Sequence, residues 1–357
     1  MKRTQSNRSQ RFFPAEWEPQ DAVLLAWPHK NTDWAPFLND VQRCFCSIID
    51  AITRFQHVIL IVDTRDETFT LTPFKIPERI HTVFLPINDT WARDFGPLFV
   101  TEGETYIALD FKFNGWGLKF AADKDNLITQ HLFKQNIFTP EVIRENQLNF
   151  VLEGGSVESD GKGTILTTSE CLLSPNRNGA YSKKEIEGII NGCFGADNLL
   201  WLDHGYLAGD DTDSHIDTLA RFCNSDTIVY VEADNPEDEH FDALNEMEKQ
   251  LHQFKTINGQ PYNLIPLPMA DPVYDGNHRL PATYANFLII NQAVLLPFYG
   301  SPKDQIAHEI LQKIFPDREI IGIDCRPLIQ QHGSLHCVTI QLPRGVVNKD
   351  ILNPVHS

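Results

Sequence analysis

The sequence predicts an α/β protein, and three observations predict it. Five stretches carry the apolar spacing of amphipathic helices, at 36–54, 123–136, 182–193, 236–254 and 303–315. Short apolar, β-rich runs follow four of them: "HVILIV" after the first, "LLWL" after the third, "YNLIPLP" after the fourth and "REIIGI" after the fifth. No linker, low-complexity segment or charge block interrupts the 357 residues. They read as one domain, 1–357, made of five strand-and-helix units of roughly 50–80 residues each, although no repeat is visible in the residues themselves.

Each element has a local reason. "AVLLAW" precedes the first helix as a buried strand, and "TILTT", "TIVYVE" and "NFLII" flank the later ones. Ser182 and Glu185 in "SKKE" form a capping box that starts the third helix. Asn235-Pro236 supplies an N-cap and a first-turn proline for the fourth, and Ser301-Pro302 does the same for the fifth.

Composition narrows the function. The 48 acids against 30 Lys and Arg give a formal charge of −18, which disfavours nucleic acid and anionic membranes and attracts cations. Seven cysteines, an odd number with no C-x-x-C pair, point to a reducing compartment, and six of them read as small core residues. The basic, polar N-terminus has no apolar core of a signal peptide. "FLIINQAVLLPF" is too short to span a bilayer. The expected location is the cytoplasm.

Four stretches concentrate chemistry. In "GDDTDSHIDTLARF" the residues Asp211, Asp213, His215 and Asp217 alternate like the first half of a calcium loop, but Ile216 and Phe222 stand where that loop needs Gly and an acid. Read as a strand, the same stretch points His215 and Asp217 to one face, a proton carrier beside a carboxylate. Asp210, Asp211 and Asp213 read as a solvated turn. "NDTWARDFGP" packs Trp91, Arg93 and Asp94 before a Gly-Pro turn, an arrangement that a structural Arg–Asp pair would also explain. "VLEGGSVESDGKGTILTT" puts Glu153 before two glycines that permit close approach. Its Lys162 lacks the spacing and the following Ser or Thr of a phosphate loop, so "SDGKG" reads as a hairpin turn. In "QQHGSLHCVTIQLPRG", Cys337 lies beside His336 and near His332, where a thiolate could be stabilised.

Taken together, these stretches resemble the agmatine deiminase family, which groups agmatine deiminases with the bacterial porphyromonas-type peptidylarginine deiminases. "WARDFGP", "EGGS", "TTSECLLSPNRN", "GDDTDSHID", "TYANFLIIN" and "HGSLHCVT" each look like a family segment, in family order. The resemblance implies a five-bladed α/β-propeller with pseudo-fivefold symmetry and a site on its axis. It implies Cys337 as nucleophile, His215 as general acid and base, Asp94 and Asp217 as guanidinium-binding carboxylates, and Glu153 as an acid beside them. Trp91 and Asn286 match pocket positions. The implied reaction is hydrolysis of agmatine to N-carbamoylputrescine and ammonia through a thiouronium on Cys337, with no metal or organic cofactor. The implied partner is a small cationic guanidine, and a homo-oligomer is left open. Alternatives are a peptidylarginine or free-arginine deiminase with the same chemistry, and a non-catalytic guanidine- or polyamine-binding protein. The chain departs from typical agmatine deiminases in carrying "SLHC" where they have "NIHC", and Asp213-Ser214 where they have Asn-Gly.

Overall fold

The computed structural model describes residues 11–353. The N-terminal stretch read for a signal peptide begins outside them, at 1–10.

The five expected helices are present with adjusted ends: Leu38–Thr53, Ile128–Lys134, Lys183–Phe194, Phe241–Leu251 and Lys303–Ile314. The first buries Val41, Cys44, Phe45, Ile48, Ile49 and Ile52 along one face, as the three-and-four spacing requires. The capping box at Ser182 forms as expected. At the fifth helix, Ser301 Oγ accepts the Lys303 N–H at 3.0 Å and Asp304 accepts the Ser301 N–H at 3.2 Å.

The fourth helix begins later than Asn235-Pro236 suggested. Asn235 instead closes a tight turn onto Glu237 and Asp238. Asp238 pairs with Arg279 at 2.9 Å, and His240 accepts the Ala208 N–H at 2.7 Å. Tertiary contacts therefore occupy the residues that would have formed the first helical turn. The second helix is shortened at its start because Asp125 is held in place, accepting the N–H groups of Asn88 and Asp89.

Among the described residues, five sheets share one order: an antiparallel pair, then a helical crossover to a strand parallel to the second. Leu98–Glu102, Thr105–Lys112 and Ile143–Val151 form one such set, and Val157–Ser159, Thr164–Thr168 and Asn198–Leu202 the next. Ala220–Asn224, Thr227–Glu232 and Asn263–Pro268 follow, then Leu288–Ile290, Ala293–Phe298 and Glu319–Asp324. In the last set Ile340–Pro343 pairs with Gln20–Ala26, which runs parallel to His57–Asp63, itself parallel to Ile80–Leu85. A separate hairpin joins Val273–Asp275 to His278–Leu280.

The middle strands are buried on both faces, which explains their continuous apolar runs. Ile143–Val151 escaped the sequence reading because its face is mixed and largely exposed or half-buried. The "SDGKG" segment does turn between two strands, with Asp160 accepting the N–H groups of Lys162 and Thr164.

Candidate active site

Each set of strands is entered through a short turn, and five such turns hold the chemistry. Asp94 lies in Ala92–Phe95 ahead of strand Leu98–Glu102, and Glu153 precedes the turn Gly154–Ser156 ahead of Val157–Ser159. His215 and Asp217 belong to the turn Ile216–Thr218 ahead of Ala220–Asn224. Asn286 precedes Leu288–Ile290, and Cys337 precedes Ile340–Pro343. The expected strand at "SHIDTLARF" therefore starts only at Ala220. Bonds from Thr218 N–H to His215 O and from Leu219 N–H to Ile216 O close a 3-10 turn first.

The turn still aims His215 and Asp217 inward, and Gly155 shows where they meet. A Cβ at Gly155 would lie 2.6 Å from His215 Nδ1, 3.0 Å from Asp94 Oδ1 and 3.1 Å from Asp217 Oδ2. One at Gly154 would lie 2.1 Å from the Arg93 carbonyl oxygen. Both glycines of "EGGS" are thus required by close approach, as the sequence suggested.

His215 Nε2 stands 3.3 Å from Glu153 Oε2, and its Nδ1 stands 3.7 Å from Asp94 Oδ1. Burial opposes charge on this imidazole, but Asp94 and Glu153 outweigh it and hold its pKa well above the usual range. Glu153 is fully buried, and Arg177 Nε donates to both its oxygens at 3.0 and 2.7 Å. That guanidinium and His215 overcome burial and keep the Glu153 pKa below the usual carboxylate range. Asp94 accepts the Gly155 N–H at 3.0 Å and the Trp116 indole N–H at 2.9 Å. Burial nevertheless pushes its pKa up. Asp217 Oδ2 is 2.7 Å from His336 Nδ1, while its Oδ1 is buried with no hydrogen-bond partner. Burial works against the charge on Asp217, but the His336 bond holds its pKa below the usual value.

Cys337 is buried, with Sγ 3.4 Å from Asn286 Oδ1. Burial pushes its pKa well above that of a free thiol, and the Asp217 and Asp94 carboxylates push it the same way. Asn286 is not a pocket wall. Its Oδ1 accepts the His336 N–H at 2.9 Å and its Nδ2 donates to the Asp217 carbonyl at 3.3 Å, so it sits behind the thiol and ties two turns together.

Above Cys337 and Asp94 opens a narrow pocket, with a cavity volume of about 40 Å³. Trp91, Trp116 and Phe120 give it aromatic walls, and Asp33, Asp89 and Asp211 lie toward its more exposed side. Among the described residues that line it, none is Lys or Arg. Trp91 lies over Gly333, where a Cβ would approach its ring to 2.1 Å. Trp116 reaches Asp94 from four consecutive left-handed residues, Gly115 to Leu118, two of which are not glycine. Such strain of about 1–2 kcal/mol per non-glycine residue persists only where surroundings impose it.

Of the acidic turn, Asp210 does cap local donors, accepting from Thr212 and Ser214. Asp213 does more than shape the turn. It takes Lys119 at 2.7 Å and also the Arg177 guanidinium that grips Glu153. Arg93 is structural, paired with Glu16 and Gln341. Sequence reasoning gave no role to Glu16, Trp116, Arg177 or Arg221: the first two stand outside the motif segments, while Arg177 stands in "TTSECLLSPNRN" and Arg221 in "GDDTDSHIDTLARF". Cys171, expected to be a plain core residue, donates to Glu153 Oε2 at 3.6 Å.

Among the described residues, two groups have ligand atoms close enough for a metal: Glu153, Cys171 and His215, and Glu16, Glu158 and His336. Arg177 already occupies the first, and Arg221 pairs with both carboxylates of the second. A cation would have to displace a buried guanidinium.

A thiol, an imidazole between two carboxylates and a third carboxylate with a free oxygen suit attack on a bound cation. The model of the Porphyromonas-type peptidyl-arginine deiminase family matches residues 12–343. The chain belongs to that family. Members of this family are hydrolases acting on C–N bonds. The chain is 51% identical to a Porphyromonas gingivalis protein provisionally designated an arginine deiminase, with TM-score 0.91 over 95% of this chain and 100% of that one. It is 36% identical to a C. jejuni agmatine deiminase, a cysteine-to-serine form with substrate bound, with TM-score 0.88 over 97% and 99% of the two chains. It is 31% identical to the agmatine deiminase of Medicago truncatula, covering 93% of this chain and 96% of that protein. The α/β fold is the one these agmatine deiminase structures have.

Proposed function

We propose that this deiminase hydrolyses agmatine to N-carbamoylputrescine and ammonia in one domain, with its five strand sets placed around a common axis at the site. The observation that carries the substrate is the pocket lining, which holds Asp33, Asp89, Asp94 and Asp211 and no Lys or Arg. A dication with a guanidinium at one end and an ammonium at the other is suited to such a wall. The α-carboxylate of arginine would be desolvated there with no Lys or Arg among the described lining residues to receive it, a cost worth about a hundredfold in kcat/KM.

The chemistry follows from the protonation states. In the free site Cys337 is a thiol and His215 an imidazolium. A guanidinium held by Asp94 and the free Oδ1 of Asp217 neutralises the two carboxylates that keep the thiol protonated, so Cys337 gives its proton to solvent and the thiolate attacks the central carbon. Trp91 and Trp116 flank the methylene chain. His215 gives its proton to the departing nitrogen, ammonia leaves, and a thiouronium remains on Cys337. The neutral His215 next takes a proton from water, whose oxygen attacks the same carbon. Collapse breaks the C–S bond, the proton of the added hydroxyl passes to the leaving sulfur, and the ureido product departs with Cys337 a thiol and His215 an imidazolium again.

Ammonia release measured on agmatine, free arginine and a peptidyl-arginine tests the reading. Agmatine should lead arginine by about a hundredfold in kcat/KM, and a quenched reaction should carry the adduct on Cys337. Equal rates on agmatine and arginine would refute the agmatine assignment. Preference for free arginine would instead place the chain with the function proposed for its Porphyromonas relative.

A further inference from the structure

We propose that His336 is a positioning residue for the deiminase reaction. Anchored by Glu16, it pins one oxygen of Asp217 so that the other faces the substrate guanidinium. This rests on the site reading above. His336 Nδ1 lies 2.7 Å from Asp217 Oδ2 and its Nε2 lies 2.6 Å from Glu16 Oε2. Arg221 Nη2 also lies 3.0 Å from His336 Nε2, so Nε2 is held between Arg221 and Glu16 while Nδ1 meets Asp217.

Glu16 is itself fixed. Its Oε1 accepts the Ile289 N–H at 2.7 Å, and its Oε2 faces Arg221 Nη2 at 3.1 Å and Arg93 Nη2 at 3.5 Å. Arg221 pairs with Glu158 and donates to the Ala285 and Phe287 carbonyls at 3.1 and 2.7 Å. Every one of these side chains is buried. Glu16, Arg93 and Arg221 thus hold His336 and its backbone carbonyl from one side, and Asp217 meets the ring from the other.

The consequence falls on Asp217. With Oδ2 held, its carboxylate cannot rotate, and Oδ1 is left buried and unpartnered. An orphaned buried acceptor costs free energy unless a ligand supplies the missing donor. A guanidinium N–H supplies one. The same residue also helps hold the nucleophile, because the His336 N–H and Cys337 Sγ share Asn286 Oδ1.

The test compares His336→Asn and Glu16→Gln with the parent enzyme. Asparagine keeps a donor near the Nδ1 position without the Nε2 edge that Glu16 anchors, and glutamine removes the anchoring carboxylate but leaves His336. The charged groups facing His336 and Asp217 are Glu16, Glu158, Arg93, Arg221, His215, Asp94 and Cys337, and all remain in place otherwise. Loosening of the His336 hydrogen bond in either variant raises the Asp217 pKa, so activity should fall at higher pH on acidification. In kcat/KM against pH, the acid limb should move up by about one unit and steepen as Asp217 titrates alongside Asp94. KM should rise as kcat falls. His336→Ala should lose about a hundredfold, with His336→Asn recovering part of it. If the alanine form does not fold, the other two variants decide. An unchanged acid limb in both, with only a lower kcat, would overturn the proposal and leave His336 a packing residue. Calorimetric titration of agmatine into Cys337→Ala separates the two readings. If the parent releases no ammonia from agmatine, the substrate assignment fails, and the same pH comparison on the guanidine it does turn over still decides the role of His336.

Discussion

Gly155→Ala should cripple the enzyme while sparing its fold. The new methyl would lie 2.6 Å from His215 Nδ1, and ordinary contact begins at 3.4 Å, so the imidazole must withdraw by about 0.8 Å. It has nowhere easy to go, because Glu153 holds it at 3.3 Å and Arg177 holds Glu153 from behind. Asp94 and Asp217 are crowded as well, at 3.0 and 3.1 Å. A displacement near 1 Å of reacting groups costs about a hundredfold in rate, and the overpacking itself costs about 1–3 kcal/mol of stability. Ammonia release gives kcat/KM, and denaturant unfolding gives the stability. Gly188→Ala is the control. Nothing lies within 4 Å of its added Cβ, and it sits in the helix Lys183–Phe194, where alanine should stabilise by about 0.5–1 kcal/mol without touching activity. A Gly155→Ala enzyme with parental kcat/KM would refute the convergence of His215, Asp94 and Asp217 on one point.

Alkylation of the free enzyme by iodoacetamide should be slow at pH 7 and still rising beyond pH 9, because burial and two carboxylates hold the Cys337 thiol protonated. A plateau below pH 8 would contradict this. Asp217→Asn should remove about 3 kcal/mol or more of transition-state binding, two orders of magnitude in kcat/KM, yet speed alkylation at pH 8 by removing one of those carboxylates. Slower alkylation would show that Asp217 does not act on the thiol. Burial lifts the Asp89 carboxyl to about 6. If it receives the ammonium end, KM for agmatine should climb as pH falls through that value with kcat little changed, and a KM flat to pH 5 would remove Asp89 from the substrate site.

The sequence carried the helices because their apolar spacing and caps are local, as at Ser182 and Ser301. It misplaced the start of the fourth helix because Asp238 and His240 are drawn to Arg279 and Ala208, partners no local pattern announces. At the site, Asp94, Glu153, His215, Asp217 and Cys337 were legible as dense, costly motifs. The residues that tune them were not. Arg177 reads as an ordinary surface arginine in "SPNRN" until it is found against Glu153, and Glu16 stands in "PAEWEP" with no signal of its link to His336. Asn286 showed in a motif, but only the structure reveals that it braces the thiol from behind.

The sheet that presents Cys337 is sewn from distant parts of the chain: Ile340–Pro343 lies against Gln20–Ala26, with Leu342 opposite Ala22. During synthesis the early strand must wait, its edge open, for nearly all of the intervening chain to emerge. Long-range pairings of this kind are the slow ones, since loop closure precedes any reward. The thiol would therefore reach its place only when this seam shuts. An incomplete chain could hold His215, Asp94 and Glu153 in four finished strand sets and still have no nucleophile in position, so the reactive cysteine would be armed last.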